Sequence, residues 1–347
     1  LNRYLSDLSS AVSKTCDRRT EVRTRQIRIS RHLPFQDLEI ENPLAPWLRS
    51  WGIIKDTPTE HPPRSMIATL IVLLILGLII GGILGYPAFT QWRRDRIQCR
   101  PFPPLWHATL EHSLPQYFCL SPSERKRLQG HIQVFLAEKQ FIGCNGLQIA
   151  EEIKLSIAAV ACLLLLNERG KYFPKLRSIL VYPTAYWVDS TVSVGNGVIE
   201  EKREARLGES WSRDQVVLAW EQVQQDLNAW EDGRNVVLHE FAHQLDQEDG
   251  IAEGVPILHS NSDYDRWAQV MAEEYQQLCK SVERGVKSVM DSYGATNPAE
   301  FFAVATETFF EKPHALQQQH PELYKQLNHY YQIDPATWVQ AKVHYTL

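Results

Sequence analysis

Residues 67–86, IATLIVLLILGLIIGGILGY, run for twenty positions without a charge. At 1.5 Å per residue a helix of that length crosses the hydrocarbon of a bilayer, and an isolated segment can satisfy its backbone in lipid only as a helix. The sequence therefore predicts a single transmembrane anchor over 66–90 and a juxtamembrane linker over 91–105. A cleaved secretory signal is the weaker reading, because the run is long and Tyr86-Pro87-Ala88-Phe89 lacks the small residues of a cleavage site. Arg93, Arg94, Arg96 and Arg100 follow the span, against Lys55 and Arg64 before it. The positive-inside rule then sets the C-terminal side in the cytoplasm. Gly77, Gly81 and Gly85 share one helical stripe, which permits a homodimer through the membrane helix.

On the N-terminal side, residues 1–65 are Arg-rich over 18–31 and Pro-rich over 43–63, without a periodic core, and the first methionine is Met66. They are expected to be disordered, and are read either as an upstream extension or as a fragment lacking its true start. The chain as a whole has the composition of a globular protein, with 44% hydrophobic residues, and its net charge of −5 gives no sign of nucleic-acid binding. Six cysteines without paired or C-x-x-C spacing fit a reducing compartment or burial better than a disulfide framework.

Chemistry concentrates in Val236–Asp246, VVLHEFAHQLD. Residues i and i+4 share a helical face, so His239 and His243 can converge on one zinc ion, while Glu240, one position round, can act as general base on a water. Apolar neighbours predict a buried helix, with Asn235 as its cap and Asp249-Gly250 as its stop. A core helix with two hydrogen-bonded histidines is the bland alternative, but burying two imidazoles and two carboxylates on one stripe is costly without a metal. Asp246, seven residues past His239, can accept the free N–H of a ligating imidazole or brace the helix.

Elsewhere, Ser121-Pro122-Ser123-Glu124 opens a helix, residues 149–167 form a buried one, and strands are expected at Ser178–Tyr182, Tyr186–Val188 and Gln215–Val223. A sheet edge near the metal helix can hold an extended peptide by main-chain hydrogen bonds. Spacing leaves the third metal ligand open among Glu273, Glu274, Glu300, Glu307, His259 and Asp263. Glu300 stands ahead of Glu307, although after the Asn297 cap and Pro298 it can equally complete a capping box.

The block NVVLHEFAHQLD, then Gly254-Val255-Pro256, Tyr293 and Asn297–Val304, resembles the Mlc titration factor A family of zinc peptidases. The resemblance extends to Phe135–Phe141, Ile157–Ala159 and Ile179–Pro183, and spans about 100–335. It implies an α+β, zincin-like metallopeptidase domain, assigned here to 106–340, with one Zn2+ per chain. It also implies Glu300 as the third ligand, Tyr293 facing the site as an oxyanion stabiliser, and aminopeptidase-type cleavage of a peptide or protein substrate. The founding member binds a glucose repressor, so a transcription-regulator partner is implied too. The membrane span departs from the family pattern and puts that partnership in question. The alternative to an enzyme is a regulatory binding protein that sequesters a transcription factor and keeps the zinc site for structure.

Overall fold

The computed structural model describes residues 64–166, 171–193, 199–206, 208–212, 214–258 and 260–338. The expected disorder of the N-terminal region and the candidate ligand His259 fall outside the described residues, apart from the helical start at Arg64. The chain divides into two units, Leu1–Leu74 and Ile75–Leu347, and the described part of the first is the opening of a long helix, α1 (Arg64–Gln98). No charge interrupts α1 across the apolar run, and its side chains lie open: Leu78, Ile83 and Leu84 are 68%, 66% and 74% exposed. This is one helix long and apolar enough to cross a membrane, consistent with a single span. It continues as helix through 91–98, where Arg94 grips Glu138 through two hydrogen bonds of 2.9 and 2.8 Å.

The second unit is mostly helical around a small sheet. Its first helices are α2 (Pro104–Ser113), α3 (Pro122–Glu138) and α4 (Glu151–Leu163). The Ser121 hydroxyl accepts from the Glu124 amide while the Glu124 carboxylate accepts from Ser121, so α3 starts on a full capping box. Helix α4 is buried from Leu155 to Leu163 and packs against α2 and α3, a core helix of the second unit rather than a second span.

Strands β1 (Gln140–Gly143), β2 (Ser178–Tyr182), β5 (Gly208–Ser212) and β6 (Gln215–Ala219) make a sheet in the order β1-β2-β6-β5. Pairs β1/β2 and β2/β6 are parallel, and the edge strand β5 runs antiparallel to β6. Strands β3 (Tyr186–Ser193) and β4 (Ile199–Arg206) form a separate antiparallel pair. The expected strand Gln215–Val223 is too long. It stops at Ala219, and helix α5 (Trp220–Asn228) follows directly, because Val223 and Leu227, four apart, bury together on a helical face.

Downstream lie α6 (Val236–Asp246), α7 (Asn261–Glu283), α8 (Pro298–Glu311), α9 (Pro313–Gln319) and α10 (Pro321–Tyr331). The apolar face of α6 presents Phe241 to Phe173 and Phe135, with ring centroids 4.8 and 5.7 Å away, burial that stabilises by about 1.5–3 kcal/mol for such a side chain. Its other contacts are with α4, α5, α8, β5 and β6.

Candidate metal centre

Helix α6 begins where the sequence places it, with the Asn235 side chain accepting from the Leu238 amide at 3.1 Å. Helices leave their first amides unpaired, and here carboxylates from two other helices meet the amides around and just before the start of α6. Asp226 accepts from Val236, Glu307 from Asn235, and Glu311 from Gly233 and Arg234, at 2.7, 2.6, 2.8 and 3.0 Å. The entry to α6 is thereby fixed against α5 and α8.

One turn on, His239, His243 and Glu300 bring one ligating atom each to within 4.8 Å of one another. His239 Nε2 lies 3.0 Å from Glu300 Oε2 and 3.2 Å from His243 Nε2, which is 3.3 Å from the same carboxylate oxygen. His239 Nδ1 faces Glu307 Oε1 at 2.7 Å. An imidazole that donates Nδ1–H to Glu307 keeps a lone pair on Nε2. Three lone-pair atoms pointed at one spot repel unless a cation lies between them, and two imidazole nitrogens with one carboxylate are a donor set that suits zinc. Without metal, protons take up that charge. Burial works against a charged His239, yet its hydrogen bonds to Glu300 and Glu307 outweigh burial and lift it to about 10. Burial likewise opposes ionisation of Glu300, but the two histidines bring it down to about 2.

The Asn297 side chain accepts from the Glu300 amide at 3.0 Å and so caps α8, while the Glu300 carboxylate turns to the histidines rather than back to the cap. Glu300, Glu307 and Glu311 lie on one stripe of a helix that is buried from Phe301 to Glu311. Of the other candidate ligands, Glu274 pairs with His320 at 2.6 Å, Asp263 caps α7 with Ser260, and Glu273 accepts from Gln269. Glu307 faces the His239 ring instead of joining the candidate ligand group. That role was open to sequence reading through its seven-residue spacing from Glu300, but only the pairing with a ring 68 residues away distinguishes it from a ligand.

Glu240 is buried on α6 beside His239, 4% exposed. Asp246 is fully buried and accepts from the amides of Gly254 and Val255 at 3.0 and 2.7 Å. It thus braces the loop after α6, while the Nδ1 side of His239 is taken by Glu307. Gly254 sits at φ +78°, where a Cβ would come within 2.3 Å of the Pro298 carbonyl oxygen. The loop therefore presses on the first turn of α8, just ahead of Glu300. Tyr293 stands in a short 3-10 turn, Ser292–Ala295, 54% exposed, its ring centroid 5.9 Å from that of His239. Asp291 accepts from the Tyr293 amide at 2.8 Å and from Arg234 Nε at 2.7 Å, anchoring this turn to the segment that leads into α6.

Two histidines four residues apart on a buried helix, with a glutamate from a second helix, define a candidate site for one transition metal. The family model for the glucose-regulated metallo-peptidases M90 matches residues 89–332, and the chain belongs to that family. An uncharacterized protein of Synechocystis sp. is 49% identical over 271 residues, covering 78% of this chain and 98% of that protein. Proteins called Mlc titration factor A from Klebsiella pneumoniae and Escherichia coli are 31% and 30% identical over 233 residues, 66% of this chain and 86% of each relative.

Proposed function

We propose that this chain is a membrane-anchored, zinc-dependent peptidase with a zincin-like catalytic domain. The observation that carries this reading is the convergence of His239, His243 and Glu300 beside Glu240, a carboxylate that a purely structural site does not need. His239, His243 and Glu300 would hold the ion, with Glu307 keeping the His239 ring turned toward it. Zinc bound there supplies Lewis acidity, which lowers the pKa of water and polarises a carbonyl. Glu240 takes the proton of the attacking water and passes it to the leaving amine. The Tyr293 hydroxyl donates to the carbonyl oxygen as negative charge develops on it. Strand β5, an antiparallel sheet edge packed beside α6, offers an extended peptide main-chain pairing next to the site. The excess of arginine after the span supports a cytoplasmic domain.

A second reading has its own support. Several relatives are named for titrating Mlc, and by name they stand behind binding more directly than behind catalysis. In that reading the domain sequesters a transcription regulator, and zinc joins α6 to α8. Glu240→Gln separates the two: zinc and fold are retained, and peptide hydrolysis falls by about 10²–10⁴-fold or more. Loss of hydrolysis with metal retained supports the peptidase. Parent protein that holds zinc and cleaves none of a broad peptide library, while binding a regulator as well as the variant does, supports the second reading.

A further inference from the structure

Away from the metal, a cavity of about 920 Å³ lies between the turn that ends α1 and the first half of α3. Every formal charge in its lining is positive: Arg100, Arg125, Lys126 and Arg127, with no Asp or Glu among the lining residues. The one acid in the first half of α3, Glu124, is committed to the capping box of that helix. The walls are built rather than loose. Gln133, 8% exposed, donates to the carbonyls of Pro101 and Arg100 at 3.1 and 3.4 Å, tying the turn to α3. Arg125 donates to the carbonyls of Leu120 and Phe118 at 2.9 and 2.6 Å and lies over the Tyr117 ring, which fixes its cationic head without neutralising it. The first turn of α3 adds the positive end of a seventeen-residue helix.

Position selects the source of the anion. Exposed Tyr86, Phe89 and Trp92 form an aromatic group at the end of the apolar run, the kind that sits at the headgroup level. From Trp92 to Gln98, where the cavity wall starts, is roughly 9 Å at 1.5 Å per residue, about a Debye length at physiological salt. We infer that this cavity binds the phosphate-bearing headgroup of an anionic phospholipid from the leaflet at the C-terminal end of the span. Lysine and arginine stems reach along the apolar wall and present their charges to the phosphodiester, while the site holds α1 and α3 in a set relation to the bilayer surface.

The test uses the full chain in detergent, offered equimolar phosphatidylglycerol and phosphatidylcholine, with retained lipid read by native mass spectrometry. The parent retains phosphatidylglycerol preferentially, and Arg100→Gln with Lys126→Gln, both exposed, weakens retention by about tenfold or more. Lys126→Glu alone moves it in the same direction. Lys280→Gln with Arg284→Gln, which removes equal charge at the end of α7, leaves it unchanged. Equal loss in both double variants, or no preference in the parent, overturns the assignment. Inorganic phosphate that binds the parent while phosphatidylglycerol does not makes this a soluble-anion site and also overturns it. The inference rests on α1 crossing a bilayer and not on the metal chemistry, so Glu240→Gln retains lipid as the parent does.

Discussion

Glu307 is the residue whose role is most sharply defined by geometry. Its two oxygens take one N–H each, from the His239 ring and the Asn235 backbone, in a site where it is 6% exposed. Glutamine offers a single acceptor oxygen, so Glu307→Gln leaves one of those donors without its partner. Zinc affinity is expected to fall about 10–100-fold, measured by competition with a chelator, with the fold kept. Glu311→Gln, which touches the same chain entry but no imidazole, is expected to change affinity much less. Equal effects from the two would mean that Glu307 merely braces the helix start. The candidate ligand histidines were legible because their relation is local, four residues on one helix. The difference between Glu300 and Glu307 was not, since either glutamate can face α6 and only the packing of α8 decides which oxygen meets which nitrogen.

At the level of elements, the junction of α6, α8 and the loop at Gly254 carries the site. Gly254→Ala must adopt φ +78° with a Cβ 2.3 Å from the Pro298 carbonyl oxygen, so either the loop or the start of α8 moves. The expected result is a loss of more than about 1 kcal/mol in unfolding free energy together with weaker zinc binding. Unchanged zinc affinity would separate that loop from the metal site. The entry to α6 also predicts a pH dependence. Burial is the largest influence on Asp226 and pushes it up to about 6, despite the hydrogen bonds from Val236 and Gln222 that favour its charged form. A carboxyl group whose pKa rises on folding contributes stability that is complete below about 4, its unfolded value, and is lost as pH rises through its folded value. Asp226→Asn removes that titration while keeping an acceptor for Val236. Its stability relative to the parent should therefore rise between pH 4 and 6 and then level off, in paired denaturant titrations. A flat difference would show that Asp226 ionises in the folded protein as it does in the unfolded chain. The strand-to-helix change at Ala219 was hidden in the sequence because Val217, Ala219 and Val223 fit an alternating pattern, while Val223 and Leu227 fit a helical one.

For the whole molecule, the parts written locally were readable: an uncharged span, the capped helices α3, α6 and α8, and strand β2. What depended on distant packing was not, including the carboxylates from α5 and α8 at the start of α6 and the basic cavity behind α1. The arginine bias after the span predicts that protease added to intact cells spares the domain, while protease added to inverted vesicles cuts it. The reverse would turn the anchor around without changing the site. Zinc K-edge absorption on the purified, zinc-loaded chain reads the metal centre itself. One zinc per chain is expected, with two imidazole nitrogens and carboxylate or water oxygens at about 2.0–2.2 Å, and loss of that shell in Glu300→Ala. Sulfur at about 2.3 Å, or a shell indifferent to Glu300, would contradict the proposed metal site.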